Sequence, residues 1–377
     1  MPRKNRPHIL IVDDKPDEAR ARKTEIGDRA RVEIAHPQDL TDKSQINKAD
    51  LILVDYRLED WQERDSTRAL CLKPTNGLAL ASILRAHADD KENSSPTAIA
   101  ILTAHLKELS GGLPPEPRAH AIARAHNLEW AFSKANSQRE TLLAQQVLSL
   151  ASAVRKLPLS WPIDNPKKSE EQVQELLLVP KNAVWFARAW EEIQDCYPPL
   201  HELSEWSHGL AILRWLLHRI LPYPCFLWDS FQLAARLRVT HDSLEQVMIK
   251  DSKLSRLFKD VRYQGILSDF LGTRWWRAGV ESILWQVTEG ESFDPQETFA
   301  VIKNYAPKLK ALNLTQPVIC LDSDYQPVNK FVDISEAVRV QPDGWPPYAD
   351  QAWTTIEMAR QERRLKALVL RQDLSKL

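Results

Sequence analysis

The chain has 377 residues, a formal net charge of −1, 27% charged and 43% hydrophobic residues, which is enough for two or three domains with cores of their own. The absence of any long like-charge block excludes a bulk electrostatic binder of nucleic acid or membrane, and four scattered cysteines (Cys71, Cys196, Cys225, Cys320) without C-x-x-C spacing exclude a disulfide scaffold or structural zinc and fit reduced thiols. The basic start runs into a five-residue strand-like run, His8–Val12, too short for a signal peptide or membrane span, so a cytoplasmic location is expected.

In chain order, four apolar runs end in residues that carry chemistry. His8-Ile-Leu-Ile-Val is followed by Asp13-Asp14, and Leu51-Ile-Leu-Val by Asp55. Ala98-Ile-Ala-Ile-Leu ends at Thr103, and Glu129-Trp-Ala-Phe-Ser leads to Lys134. Helical segments are expected at 16–25, 37–46, 76–88, 116–126 and 136–156, so residues 8–156 read as five strand–helix units of a doubly wound parallel α/β sheet. In such a sheet the carboxyl ends of the strands share one edge, where ligands collect. Three carboxylates gathered there repel one another and call for a hard divalent cation such as Mg²⁺. One of them can then act as a nucleophile toward phosphorus, while a Thr hydroxyl and a Lys ammonium hold the phosphoryl oxygens.

This order of residues resembles the receiver domain of two-component response regulators. The resemblance implies that Asp13 and Asp14 form the acidic metal-binding pair, with Asp55 as third ligand and phosphoacceptor. It makes Thr103 the switch hydroxyl, Lys134 the invariant lysine, and Gly77 the glycine that opens the third helix. It also implies Mg²⁺ as cofactor, a histidine kinase or phosphotransfer protein as donor, and no enzymatic activity beyond the domain's own phosphorylation and dephosphorylation. Three features depart from the family. Ala135 stands where a proline usually follows the lysine. Ala131 stands where an aromatic is usual, with Trp130 and Phe132 beside it. The 57–75 stretch is longer than usual, highly charged, and carries Arg57 and Trp61; it reads as a lid or partner-contact loop.

The fifth helix carries Leu143, Val147, Leu150, Val154 and Leu157 at spacings of four and three, a heptad seam whose first half would also suit packing on the sheet and whose later positions would meet a partner, as in a homodimer, or the next domain. Pro158, Pro162 and Pro166 then mark a linker over 158–168. Residues 169–377 read as a mainly helical output or interaction domain, with helices near 169–178, 182–195, 200–220, 229–238, 242–259, 260–271, 274–288, 295–312 and 350–374, and a small β element at 317–340. Eleven of the thirteen tryptophans fall after residue 157, as large core plugs or interface anchors.

Residues 229–250 have helix-turn-helix spacing, with Leu233, Ala234, Leu237, Val239, Leu244 and Val247 inward and Asp242 as the cap of the second helix. Its outward residues, His241, Asp242, Ser243, Glu245 and Gln246, lack a cation until Lys250, and residues 158–377 carry an excess of three acids. A phosphorylation-controlled DNA-binding regulator is therefore the second reading, behind one that switches protein–protein interaction or self-association. His201, His208 and His218, with Asp195, Glu202, Glu205 and Asp229 nearby, match no H-E-x-x-H pattern, and no phosphate loop or nucleophile elbow occurs. Arg274-Trp-Trp-Arg277 reads as a helix start with two core tryptophans.

Overall fold

The computed structural model describes residues 6–41, 43–61, 64, 73–89, 96–109, 118–134, 140–159, 161–162, 165–202, 209–250 and 252–377. Cys71, Ala135, the 111–117 loop, most of the 57–75 stretch, Glu205 and His208 lie outside the described residues. The chain forms two compact units. The first comprises Met1–Leu178, Pro198–Pro222 and Gly265–Leu271, and the second Val179–Tyr197, Tyr223–Gln264 and Gly272–Leu377. These are not the linear segments 1–157, 158–168 and 169–377 expected from the proline-rich break.

The first unit is built on β1 (His8–Val12), β2 (Arg31–Ala35), β3 (Leu51–Asp55), β4 (Ala98–Thr103) and β5 (Trp130–Ser133). All pairings are parallel, in the order β2-β1-β3-β4-β5. Every residue of β1, β3 and β4 is buried, which is why these strands read as unbroken apolar runs rather than as alternations. The connecting helices are α1 (Pro16–Ile26), α2 (Lys43–Lys48), α3 (Gly77–Asp89), α4 (Leu106–Leu109), α5 (Ala119–Ala125) and α6 (Glu140–Lys156). The helix expected at 37–46 is a 3₁₀ turn, Pro37–Asp39, followed by α2; Pro37 opens the first piece and cannot donate to a longer helix.

The rest of the unit covers what the sheet leaves bare. Val147, Leu150, Val154 and Leu157 of the α6 seam are buried, and Leu143 is half-buried. α6 packs on α1, β3, β4 and the helix Leu210–Trp215. Most of the seam is thus packed inside the chain. Helix Pro166–Leu177 starts inside the expected linker, since Pro166 takes the first helical position and Asn165 caps it by accepting the Lys168 N–H at 3.1 Å. Leu210–Trp215 runs into a π-helical turn, Leu216–Ile220. Phe270 packs on the face of β5 that carries Trp130 and Phe132, its ring edge-on to Trp130 at 4.9 Å and 6.2 Å from Phe132.

The second unit is mainly helical. Ser230–Arg236, His241–Met248, Lys253–Leu257, Arg277–Val287 and Pro295–Tyr305 enclose a core that includes Leu233, Leu237, Val239, Leu244, Phe258, Val280 and Ile302. The β element is larger than a hairpin: four strands in the order Ala337–Val340, Ala352–Thr355, Pro317–Leu321, Pro327–Asp333. Three expected helices are revised. The 242–259 segment breaks where Ser252 and Ser255 form a capping box that restarts the chain as Lys253–Leu257. Segment 260–271 forms turns, with Leu267 at φ 62°. The 350–374 segment becomes a strand, the helices Ile356–Gln361 and Arg363–Leu368, and a 3₁₀ turn. Among the described residues no helix is long and apolar enough to cross a membrane.

Candidate phosphoacceptor site

In the order β2-β1-β3-β4-β5 the winding direction reverses between β1 and β3, and a crevice opens there at the carboxyl ends of the strands. Asp13 and Asp14 follow β1, and Asp55 ends β3, at that position. One oxygen from each carboxylate lies within 4.8 Å of the others, and all three residues are buried. Lys15 N–H donates to Asp13 Oδ1 at 2.7 Å, Asp60 N–H to Asp14 Oδ2 at 2.6 Å, and Arg57 N–H to Asp55 Oδ2 at 3.1 Å. Backbone amides thus fix one oxygen of each.

The remaining members come from the neighbouring strands. Lys134 Nζ, just beyond β5, lies 2.5 Å from Asp55 Oδ1 and 2.9 Å from Glu18 Oε2 on α1. Thr103 ends β4, and its carbonyl accepts the Lys134 N–H at 2.7 Å while its Oγ1 accepts the His105 N–H at 2.9 Å. All five residues singled out in the sequence are therefore gathered at one edge. Glu18 is a sixth participant, unmarked in the sequence because it sits one turn into a polar helix.

Burial raises the Asp13 carboxyl to about 6, helped by the charge of Asp55 and opposed by the Lys15 amide. Burial also raises Asp55, against the pull of Lys134. For Lys134 burial works the other way, but Asp55 and Glu18 outweigh it and its pKa rises. One ammonium shared by this many carboxylates leaves the cluster short of positive charge. Among the described residues Asp14 Oδ1 is buried with no hydrogen-bond partner, an arrangement that costs free energy unless something fills it. An oxygen-only donor set with an open carboxylate lone pair fits a hard divalent cation, with Asp13, Asp14 and Asp55 as its protein ligands.

Gly77 shows why this edge tolerates no side chain at the start of α3. A Cβ there would fall 2.0 Å from the Asp55 carbonyl oxygen, and the Gly77 N–H donates to the Tyr56 carbonyl at 2.7 Å. Helix α3 is docked directly against the backbone that carries Asp55. Arg57 turns away from the carboxylates to Glu108 on α4, at 2.8 Å.

A second ionic cluster, at the opposite edge of the sheet, was not legible in the sequence. Glu129 is fully buried and holds Arg85 at 2.5 Å, Arg214 at 2.7 Å and the Ile99 N–H at 2.5 Å. Burial works against its charge, but the two guanidiniums outweigh it and its pKa is lowered. His218, buried beside it, donates from Nε2 to the Glu129 carbonyl at 2.9 Å, and burial pushes it down to about 4. This histidine is a buried packing element of the first unit. Asp229 caps Ser230–Arg236 in a capping box with Gln232, so it too has a structural use.

The helix-turn-helix spacing does fold as two short helices with Leu233, Ala234, Leu237, Val239, Leu244 and Val247 all buried. The cap of the second helix is Thr240, with Asp242 in the first turn. His241 stacks on Phe231 at 3.6 Å, and the exposed positions include Asp242, Glu245 and Gln246. That acidic face does not suit a phosphate backbone. Trp275 and Trp276 are buried core residues paired with Leu227–Trp228. Arg277 reaches Asp350 at 3.0 Å. Compared with protein-family models, curated proteins and solved structures, the chain gives no match.

Proposed function

We propose that the first unit is the phosphoacceptor module of a two-component response regulator, with Asp55 as acceptor. The observation that carries this reading is the buried cluster Asp13, Asp14 and Asp55 with Lys134 Nζ 2.5 Å from Asp55. Strand order supports it, since 2-1-3-4-5 is the doubly wound order in which ligands sit at the β1/β3 reversal. A divalent cation bound by Asp13, Asp14 and Asp55 would neutralise charge on the transferring group.

In this reading a carboxylate oxygen of Asp55 forms the new bond to phosphorus, and the bond to the donor's leaving group breaks with its electron pair departing. The donor is a histidine kinase, a phosphotransfer protein or a small phosphodonor. Lys134 is already at bonding distance of Asp55 and pairs with a phosphoryl oxygen as a point charge, releasing Glu18. The Thr103 hydroxyl, accepting from the His105 N–H, has its own hydrogen free to donate to a second phosphoryl oxygen. The added charge then biases the α4 side of the site, where Arg57 and Glu108 are paired. The output is a switched protein–protein contact made by the Trp-rich helical part of the chain.

The test is phosphoryl transfer from acetyl phosphate or phosphoramidate with Mg²⁺, read as intact mass and as hydroxylamine-labile phosphate. One phosphoryl group per chain is expected, lost on chelating the metal and in Asp55→Ala. Equal incorporation in Asp55→Ala would sink the assignment.

A further inference from the structure

The second unit contains a cavity of about 660 Å³, within the size range of small-molecule sites. Its lining is unlike the rest of the surface in two ways. The walls include Trp228 and Trp353 with Pro317 and Ile319, and the Arg277 guanidinium lies 5.7 Å over the Trp228 ring. Three charged residues also line it, Arg236, Arg238 and Asp350, and they differ in how their charge is met. Arg236 forks onto both oxygens of Glu281 at 2.7 Å and donates to the Ser292 carbonyl at 2.9 Å. Asp350 is paired with Arg277 at 3.0 Å. Arg238 donates from one terminal nitrogen to the carbonyls of Leu314 and Thr315. It makes no ion pair among the described residues, and its other guanidinium N–H groups remain for a ligand.

The backbone at Arg238 adds a separate observation. Its φ is 61°, in the left-handed region, where a side chain is sterically disfavoured. The position is clasped on both sides: the Arg238 N–H donates to the Ala235 carbonyl at 3.2 Å, and its carbonyl accepts the Leu312 N–H at 2.9 Å. A glycine would relieve the strain, yet the chain holds a guanidinium there, on the cavity wall. Phe293, among the lining residues, is 84% exposed.

We infer that this cavity binds a small monocarboxylate with a flat, apolar body, its carboxylate on Arg238 and its body between Trp228, Trp353 and Ile319. The charge count sets the class. With Arg236 and Asp350 each neutralised by a bonded partner, Arg238 is the lining charge without a bonded counter-ion among the described residues, although the Asp333 carboxylate acts on it through space, and this favours an anionic over a neutral ligand. The guanidinium fork suits a planar carboxylate in particular. Binding here makes the second unit a ligand-reading module, and this is independent of whether Asp55 accepts a phosphoryl group.

The experiment is titration of the full chain with 3-phenylpropionate and with its neutral isostere 3-phenylpropionamide, by calorimetry or ligand-detected NMR. The acid is expected to bind at least about tenfold tighter than the amide, equivalent to about 1.4 kcal/mol. Arg238→Gln should erase that preference, Arg238→Lys should keep part of it, and Ile319→Trp should fill the cavity and abolish binding of both probes. Thermal melts of each variant show whether the fold is kept, and the wild-type acid-over-amide ratio stands even if a variant fails to fold. Equal affinity for acid and amide would overturn the inference. So would a preference that survives Arg238→Gln, or the absence of saturable binding of either probe in the millimolar range. Asp55→Ala should leave both affinities unchanged.

Discussion

The buried Glu129 cluster makes a demanding prediction. The carboxylate is fully buried and takes Arg85 at 2.5 Å on one oxygen and Arg214 at 2.7 Å on the other. Glu129→Gln keeps the shape and removes the charge, leaving Arg85, which is 8% exposed at its side chain, without its counter-ion. Removing one member of a buried pair costs about 3–5 kcal/mol, because the partner stays desolvated and unpaired. Arg214→Met is milder: Glu129 keeps Arg85 and the Ile99 amide, and the lost charged hydrogen bonds cost about 1.5–3 kcal/mol. At roughly 2–4 °C per kcal/mol for a domain of 150–250 residues, Glu129→Gln should lower the melting temperature by about 6–20 °C. Urea unfolding of both single variants and the double gives the coupling directly. The double should cost less than the sum, since Arg214 has no charge to meet once Glu129 is neutral. Because Arg214 and His218 tie 209–222 to the sheet, proteolysis within 198–222 should quicken in both variants. A Glu129→Gln loss under about 1 kcal/mol, or strict additivity, would refute the view of Glu129 as the clamp.

Other outcomes follow from the same contacts. Gly77→Ala puts a methyl 2.0 Å from the Asp55 carbonyl; it should destabilise the first unit by at least about 2 kcal/mol and slow phosphoryl uptake even where the fold survives, which melts and intact mass will report. Asp13→Asn removes a carboxyl raised to about 6 by burial, so in the absence of metal it should raise the melting temperature, by at most about 3 kcal/mol in free-energy terms, and abolish any further rise on adding Mg²⁺. His218 is depressed to about 4 by burial, with Glu129, Arg214 and Arg124 as the charges around it. The unfolded chain binds the proton more tightly, so the stability from burying a neutral ring is complete above about pH 6.5 and falls away as pH drops toward 4, by up to about 3 kcal/mol. Urea midpoints across that window should converge on those of His218→Gln as pH falls; parallel curves would show that His218 titrates normally.

What the sequence made legible is what short-range pattern encodes. The runs ending in Asp14, Asp55, Thr103 and Lys134 could be read because a doubly buried strand must be apolar throughout and its end residue faces a shared edge. The α6 seam was legible as apolar but not as to its partner. Leu150 and Val154 at heptad spacing look the same whether a second chain or the rest of the same chain covers them. The long helix expected at 242–259 failed for a local reason. Ser252 and Ser255 bond each other's backbone N–H groups, and such hydroxyls offer the chain an alternative to helix that apolar periodicity does not register.

Glu129 was illegible for the opposite reason, distance along the chain. It stands at the head of an apolar run, where a charged residue reads as the solvent end of a strand, and its partners are 44 and 85 positions away. The same separation accounts for the misplaced boundary. A proline-rich stretch after residue 157 marks where a helix stops, and helices stop inside domains as well as between them. Phe270 on Trp130, Arg214 on Glu129 and helix Leu210–Trp215 on α6 make the later segments part of the first unit's core. A fragment ending at residue 157 would bare Trp130, on which Phe270 packs in the full chain, and should aggregate where the full chain does not.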